Sequence, residues 1–133
     1  YGPGRTRLID QVADGTARLD RNATRYLNHI HRDDCAGALA HLMTLENPDA
    51  LYLATDSVPR TRNAFLSWIA EQLGVPTPPF AEEDPAHSRP SERGGNRRYR
   101  NDLLLESGYT FQFPTYREGY GALIASRDQP PKA

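Results

Sequence analysis

Apolar residues recur at helical spacing in four stretches of the chain, and these set the predicted elements. Leu8, Ile9 and Val12 predict a short helix over 5–13 that ends near Gly15. Cys35, Leu39, Leu42 and Met43 line up as one stripe of a helix from about Asp34 to Leu45, stopped before Asn47-Pro48. Asp33 or Asp34 is the expected N-cap, because a carboxylate there accepts backbone N–H bonds and suits the positive helix end. Phe65, Trp68, Ile69 and Leu73 predict a helix over 61–73 with Gly74 as its C-cap. Tyr116, Tyr120, Leu123 and Ile124 mark a last helix, opened by a Thr115/Glu118 capping box. Two segments read as strands: 28–31, leading into the second helix, and the apolar run Leu51–Ala54, a buried strand. The pattern is that of an α/β chain, mostly helical with a few short strands.

Between these elements the chain is polar. Residues 16–27 carry Arg18, Arg21 and Arg25 without a clear period. Residues 75–95 combine five prolines with Glu82-Glu83-Asp84, which prevents helix and central strand alike and predicts a mobile loop. Residues 127–133 read as a frayed tail, leaving 1–126 as one domain of a size able to bury a core.

Composition narrows the function classes. The net charge is −1, so no global field recruits nucleic acid or an anionic membrane surface. The single cysteine, Cys35, forms no internal disulfide, and no apolar run is long enough to span a bilayer, so a cytoplasmic setting is the default expectation. Among sixteen basic residues only Lys132 is a lysine.

Several residue groups suggest chemistry and fall short of it. His29 and His31 share a face in a strand with two carboxylates following, a possible metal set, but no third ligand pair has a recognisable spacing. Gly2-Pro3-Gly4 before a helix resembles a phosphate cradle, yet lacks the third glycine and the acidic ribose partner of a dinucleotide fingerprint. Arg93-Gly94-Gly95 with Asn96-Arg97-Arg98-Tyr99-Arg100 resembles an RNA-binding segment that occurs only once. His87 and Ser88 have no partnered acid.

The order of five landmarks is more specific. Tyr1-Gly2-Pro3-Gly4-Arg5, Asn28 to Asp34, Leu51 to Asp56, Asn96 to Asn101 and Pro114 to Tyr120 resemble, in sequence order, the C-terminal part of the extended short-chain dehydrogenases, which include the NAD-dependent epimerases and dehydratases. Arg32 stands where that family usually has an apolar residue. The resemblance covers residues 1–125 and implies a substrate-binding lobe of a Rossmann-type enzyme, with NAD or NADP held by an N-terminal part that this chain lacks. It implies that Tyr1 and Pro3 lie near the cofactor, that Arg5, Asn28, Arg97 and Arg98 face a small-molecule substrate such as a nucleotide sugar, and that His31, Asp33 and Asp34 are structural. The family's Tyr-x-x-x-Lys catalytic pair is missing: no tyrosine has a lysine four positions later. The chain, beginning at Tyr1, is expected to be cut from something longer, and to pair through Leu51–Ala54 with the missing sheet or with itself. The rival expectation is a stand-alone helical module whose Arg-rich loops take an anionic partner.

Overall fold

The computed structural model describes residues 1–21, 25–82 and 96–127. The acidic end of the proline-rich segment, the Arg93-Gly94-Gly95 run, His87, Ser88 and the tail after Arg127 lie outside them. Along the chain run α1 (Arg7–Ala13), β1 (Tyr26–Leu27), α2 (Arg32–Leu42), β2 (Arg60–Thr61), α3 (Arg62–Leu73), α4 (Asp102–Glu106) and α5 (Tyr116–Arg127). They divide into two compact units, one built from 1–6, 28–59 and the chain from 99 onward, the other from 7–27 and 60–98.

In the second unit α1 packs on α3. Ile9 and Val12 of α1 are buried, as are Phe65, Leu66, Trp68, Ile69 and Ala70 of α3. The hydroxyl of Thr61 accepts the Ala64 N–H at 3.2 Å and so caps α3, while Gly74 closes it in the left-handed conformation at φ 66°. Here the helical periodicity and the Gly74 cap match the sequence reading, while Thr61, expected inside the helix, is its N-cap. Strands β1 and β2 pair antiparallel, Tyr26 with Thr61 and Leu27 with Arg60. Farther along, Leu19 N–H donates to Pro79 O and Ala81 N–H to Leu19 O, both at 2.9 Å, which ties the described start of the proline-rich segment to residue 19.

The first unit is built around Ala38, Leu104 and Phe111, with Ile30, Leu42, Tyr52 and Tyr109 packed at the edge. Its second helix departs from expectation. Leu39 and Met43 are exposed at 61% and 87%, and the buried positions of α2 are Asp34 and Ala38. The inward face is thus rotated by about one residue from the apolar stripe, because the Asp34 carboxylate is consumed in tertiary bonds and carries its side of the helix inside. For the same reason neither Asp33 nor Asp34 caps α2; His31 does, its ring accepting the Asp33 N–H.

Four further expectations are corrected. Leu51–Ala54 is not a strand: no described segment pairs with it, and Leu51 and Leu53 are exposed at 69% and 42%. The family resemblance also implies a short strand over 98–100 and Asn101 as the cap of a helix over 102–106; residues 98–100 form no strand, and Asn101 precedes α4 without a side-chain cap, its amide instead donating to Thr55 O at 2.9 Å and Ser57 Oγ at 3.1 Å. The strand expected over 28–31 lies earlier, at Tyr26–Leu27. Residues 29–32 still bond to the chain on either side: Asp56 N–H donates to His29 O at 2.7 Å, Tyr1 N to Ile30 O at 3.0 Å, and Arg32 N–H to Tyr1 O at 2.7 Å. The last two bonds, to residues flanking His31, follow a parallel-ladder pattern. Helix α1 begins at Arg7 rather than Arg5, since Arg5 N–H closes a turn on Gly2 O at 2.9 Å.

Candidate functional site

The residues singled out in the sequence converge in the first unit, where the Tyr1–Arg5 turn meets the entry to α2. Tyr1 stacks on Tyr120 with ring centroids 4.0 Å apart and meets His31 edge-on at 5.2 Å. His29 completes the cluster, its Nδ1 3.4 Å from the Tyr120 hydroxyl. The turn approaches α5 this closely because residue 119 is glycine: a Cβ there would lie 2.2 Å from Tyr1 Oη. Gly2 is similarly confined, since a Cβ on it would meet the Arg32 side chain at 2.8 Å, and its φ of 151° is open mainly to glycine.

Arg32 fixes the turn from the side. Its guanidinium donates to Pro3 O at 2.8 Å and to Asp33 Oδ1 at 3.1 Å. At the position where the resembled family usually has an apolar residue, this cation bonds the turn backbone. Sequence reading noted that departure without assigning it a use, although a cation one residue before an exposed Asp was the available signal. Pro3 and Arg5 themselves are exposed.

His31 is 3% exposed, held between Tyr1 and Phe113, whose ring centroid is 4.1 Å away. Burial pushes its pKa below the usual value, with Asp33 and Asp34 acting the other way. The geometry agrees, because Nδ1 must be unprotonated to accept the Asp33 N–H at 3.2 Å. A histidine whose folded pKa lies below its unfolded one contributes fully above about pH 6.5 and loses that contribution as pH falls through the unfolded value. The urea midpoint is accordingly flat above that pH and declines below it. His31→Asn, which keeps an acceptor for the cap but does not titrate, removes the slope; an unchanged slope in that variant would assign it to other groups.

Asp34 is fully buried and anchors the other side of the junction. Its Oδ1 accepts Gln112 N–H at 2.7 Å and the Tyr109 hydroxyl at 3.0 Å, and its Oδ2 accepts Phe113 N–H at 2.9 Å. Burial, then the bond to Asp34, raises the Tyr109 pKa to about 12, so the phenol stays protonated and donates. Gly37, one turn along α2, leaves room for that phenol: a Cβ there would sit 2.7 Å from its oxygen. Asp33, by contrast, is exposed and pairs with Arg32.

Asn28 accepts Tyr99 N–H at 3.0 Å through its side-chain oxygen, which orients the amide. Arg97 and Arg98 belong to the second unit and are exposed there, Arg98 lying over the Tyr26 ring at 4.7 Å. Tyr109 and Tyr120 were not distinguishable from core aromatics in the sequence.

The Gly2–Arg5 turn does not fit a dinucleotide. Its Arg5 N–H is spent within the turn, the helix that follows has seven residues, and no strand among the described residues leads into it. No lysine occurs among the described residues, so none of their tyrosines has an ammonium partner of the kind that makes a phenol a useful acid or base near neutral pH.

Comparison with solved structures decides the family. A provisionally assigned NAD-dependent epimerase/dehydratase from Methylobacillus flagellatus superposes with a TM-score of 0.74 at 35% identity, over 97% of this chain and 45% of that one. This chain belongs to the NAD-dependent epimerase/dehydratase family. A functionally unknown conserved protein from Silicibacter pomeroyi DSS is similar at 33% identity and a TM-score of 0.79, over 95% of this family member and 46% of that chain. The chain therefore spans less than half the length of either. No protein-family profile and no curated protein matches it. No described helix is long and apolar enough to cross a membrane.

Proposed function

We propose that this chain is the C-terminal, substrate-binding lobe of a Rossmann-type extended short-chain dehydrogenase, an NAD(P)-dependent epimerase, dehydratase or reductase of a nucleotide sugar or similar polar carbonyl compound. The observation that carries the reading is the superposition itself: almost the whole chain corresponds to under half of a longer NAD-dependent relative at 35% identity. The rival of a stand-alone anion-binding module gains no support from that coverage. In this reading the dinucleotide is held by the other part of the fold, and the Tyr1–Arg5 turn is presented to it with Tyr1 and Pro3 beside the nicotinamide. Arg5 and Asn28 then face substrate in a cytoplasmic enzyme.

Leu51–Ala54 is the segment that meets the other part. Its exposed Leu51 and Leu53 and its unpaired backbone have the form of a strand awaiting a sheet. The test is co-expression of this chain with the part of the Methylobacillus flagellatus protein that it does not cover. A one-to-one complex that binds NADH, and that Leu53→Asp dissociates, is the expected result. A monodisperse monomer that ignores the second part and is indifferent to Leu53→Asp would overturn the reading.

A further inference from the structure

A single residue bonds the Tyr1–Arg5 turn at two carbonyls. The backbone N–H of Arg32 donates to Tyr1 O at 2.7 Å, and Nη1 of the same residue donates to Pro3 O at 2.8 Å. Between these two carbonyls its aliphatic stem crosses Gly2, where a Cβ would lie 2.8 Å from Arg32 Cγ and 2.9 Å from Cδ. Glycine at position 2 and arginine at position 32 are therefore a fitted pair, and residues 1–3 are clasped by one side chain.

The clasp adds little to folding stability. The side chains of Arg32 and Asp33 are both half exposed, and an ion pair so placed is a weak stabiliser. Its geometry is nonetheless set: Nε donates to Asp33 Oδ1 at 3.1 Å while Nη1 holds Pro3 O, so one planar fork spends two donors in fixed directions. Asp33 is placed in turn by its own N–H, which donates to the His31 ring at 3.2 Å. Beyond Tyr1 the turn closes on itself through Arg5 N–H and Gly2 O at 2.9 Å, and the bond from Arg32 ties that closed turn to the entry of α2. Fixed geometry that contributes little stability is the form of a support that holds a ligand-facing group in place.

We infer that Arg32, oriented by Asp33, is a positioning residue that holds Pro3 beside the nicotinamide and so sets the affinity for the dinucleotide. The ligand is that of the proposed function, on which this rests, whereas the bonds all lie within the first unit. Lysine replaces Arg32 only in part, since an ammonium can donate to Pro3 O but has no second donor fixed in the plane of the first for Asp33.

The test has two arms. In the isolated 133-residue chain, amide hydrogen exchange at Arg5 reports opening of the turn. Arg32→Leu speeds that exchange about fivefold, while Gln112 and Phe113, bonded to Asp34, exchange as in the parent and the urea midpoint is unchanged. In the complex with the uncovered part of the Methylobacillus flagellatus protein, Arg32→Leu raises the Kd for NADH about fivefold, and Arg32→Lys falls between Leu and the parent in both arms. A parent complex that binds no NADH would overturn the proposed function. A parent that binds NADH, with an Arg32→Leu variant that binds it equally well, would overturn the positioning role alone. Unchanged Arg5 exchange in Arg32→Leu would overturn that role too, with or without the complex.

Discussion

Replacing Asp34 with Ala lowers the stability of the chain by about 3–5 kcal/mol, the range for removing one partner from a buried charged network. The carboxylate is fully buried and receives three donors from the segment 109–113, two of them backbone N–H groups. Once it is gone, Gln112 and Phe113 keep their N–H groups in place with no acceptor, and the segment that brings Phe113 against His31 loses its tether. Tyr109→Phe removes only the phenol bond and costs about 1 kcal/mol. Urea unfolding of both variants checks the ratio; equal losses would mean that the backbone donors find other partners.

Gly119→Ala lowers stability by about 1–2 kcal/mol, against the ordinary preference of helices for alanine over glycine. The new Cβ would lie 2.2 Å from Tyr1 Oη and 2.7 Å from Tyr1 Cε2, and the ring cannot retreat because it is already stacked on Tyr120. Adding the same methyl in a Tyr1→Ala background reverses the sign, giving a gain of about 1 kcal/mol from helix propensity alone. Denaturant midpoints of the four proteins measure that reversal, and a loss that persists without the Tyr1 ring would place the strain elsewhere.

The elements whose signal is local were legible from the sequence. Helix α3 is the clearest case: its apolar period, the Thr61 hydroxyl and Gly74 all act within a few residues of one another. The capping pair at α5 is another, with Glu118 accepting Thr115 N–H at 3.0 Å and the Thr115 hydroxyl as well. Helix α2 was misread because its inner face is polar. Asp34 lies inside on account of donors that stand some seventy-five residues later, a dependence no window around Asp34 contains. His31 as the cap follows from the same displacement, since an Asp committed elsewhere leaves the ring nitrogen to take the first-turn N–H.

The candidate site was legible to a similar extent. The order of landmarks led to the family, and Tyr1, Pro3, His31 and Asp34 do meet at one junction of the first unit. Arg32 and Gly119 were invisible as site-building residues, one because a lone Arg beside an Asp reads as solvated surface, the other because a glycine's role is set by what presses on it. Leu51–Ala54 shows the limit from the other direction. Its continuous apolar run is that of a buried strand, and burial requires a neighbour that the described residues do not provide.

In the proposed function the dinucleotide site lies in the part of the fold that this chain does not span. A fluorescence titration of NADH with the isolated chain tests it most directly. No saturable signal is expected at chain concentrations up to about 1 mM, an affinity weaker than about −4 kcal/mol. Saturable binding with a micromolar Kd would contradict it and would place a cofactor site within residues 1–133.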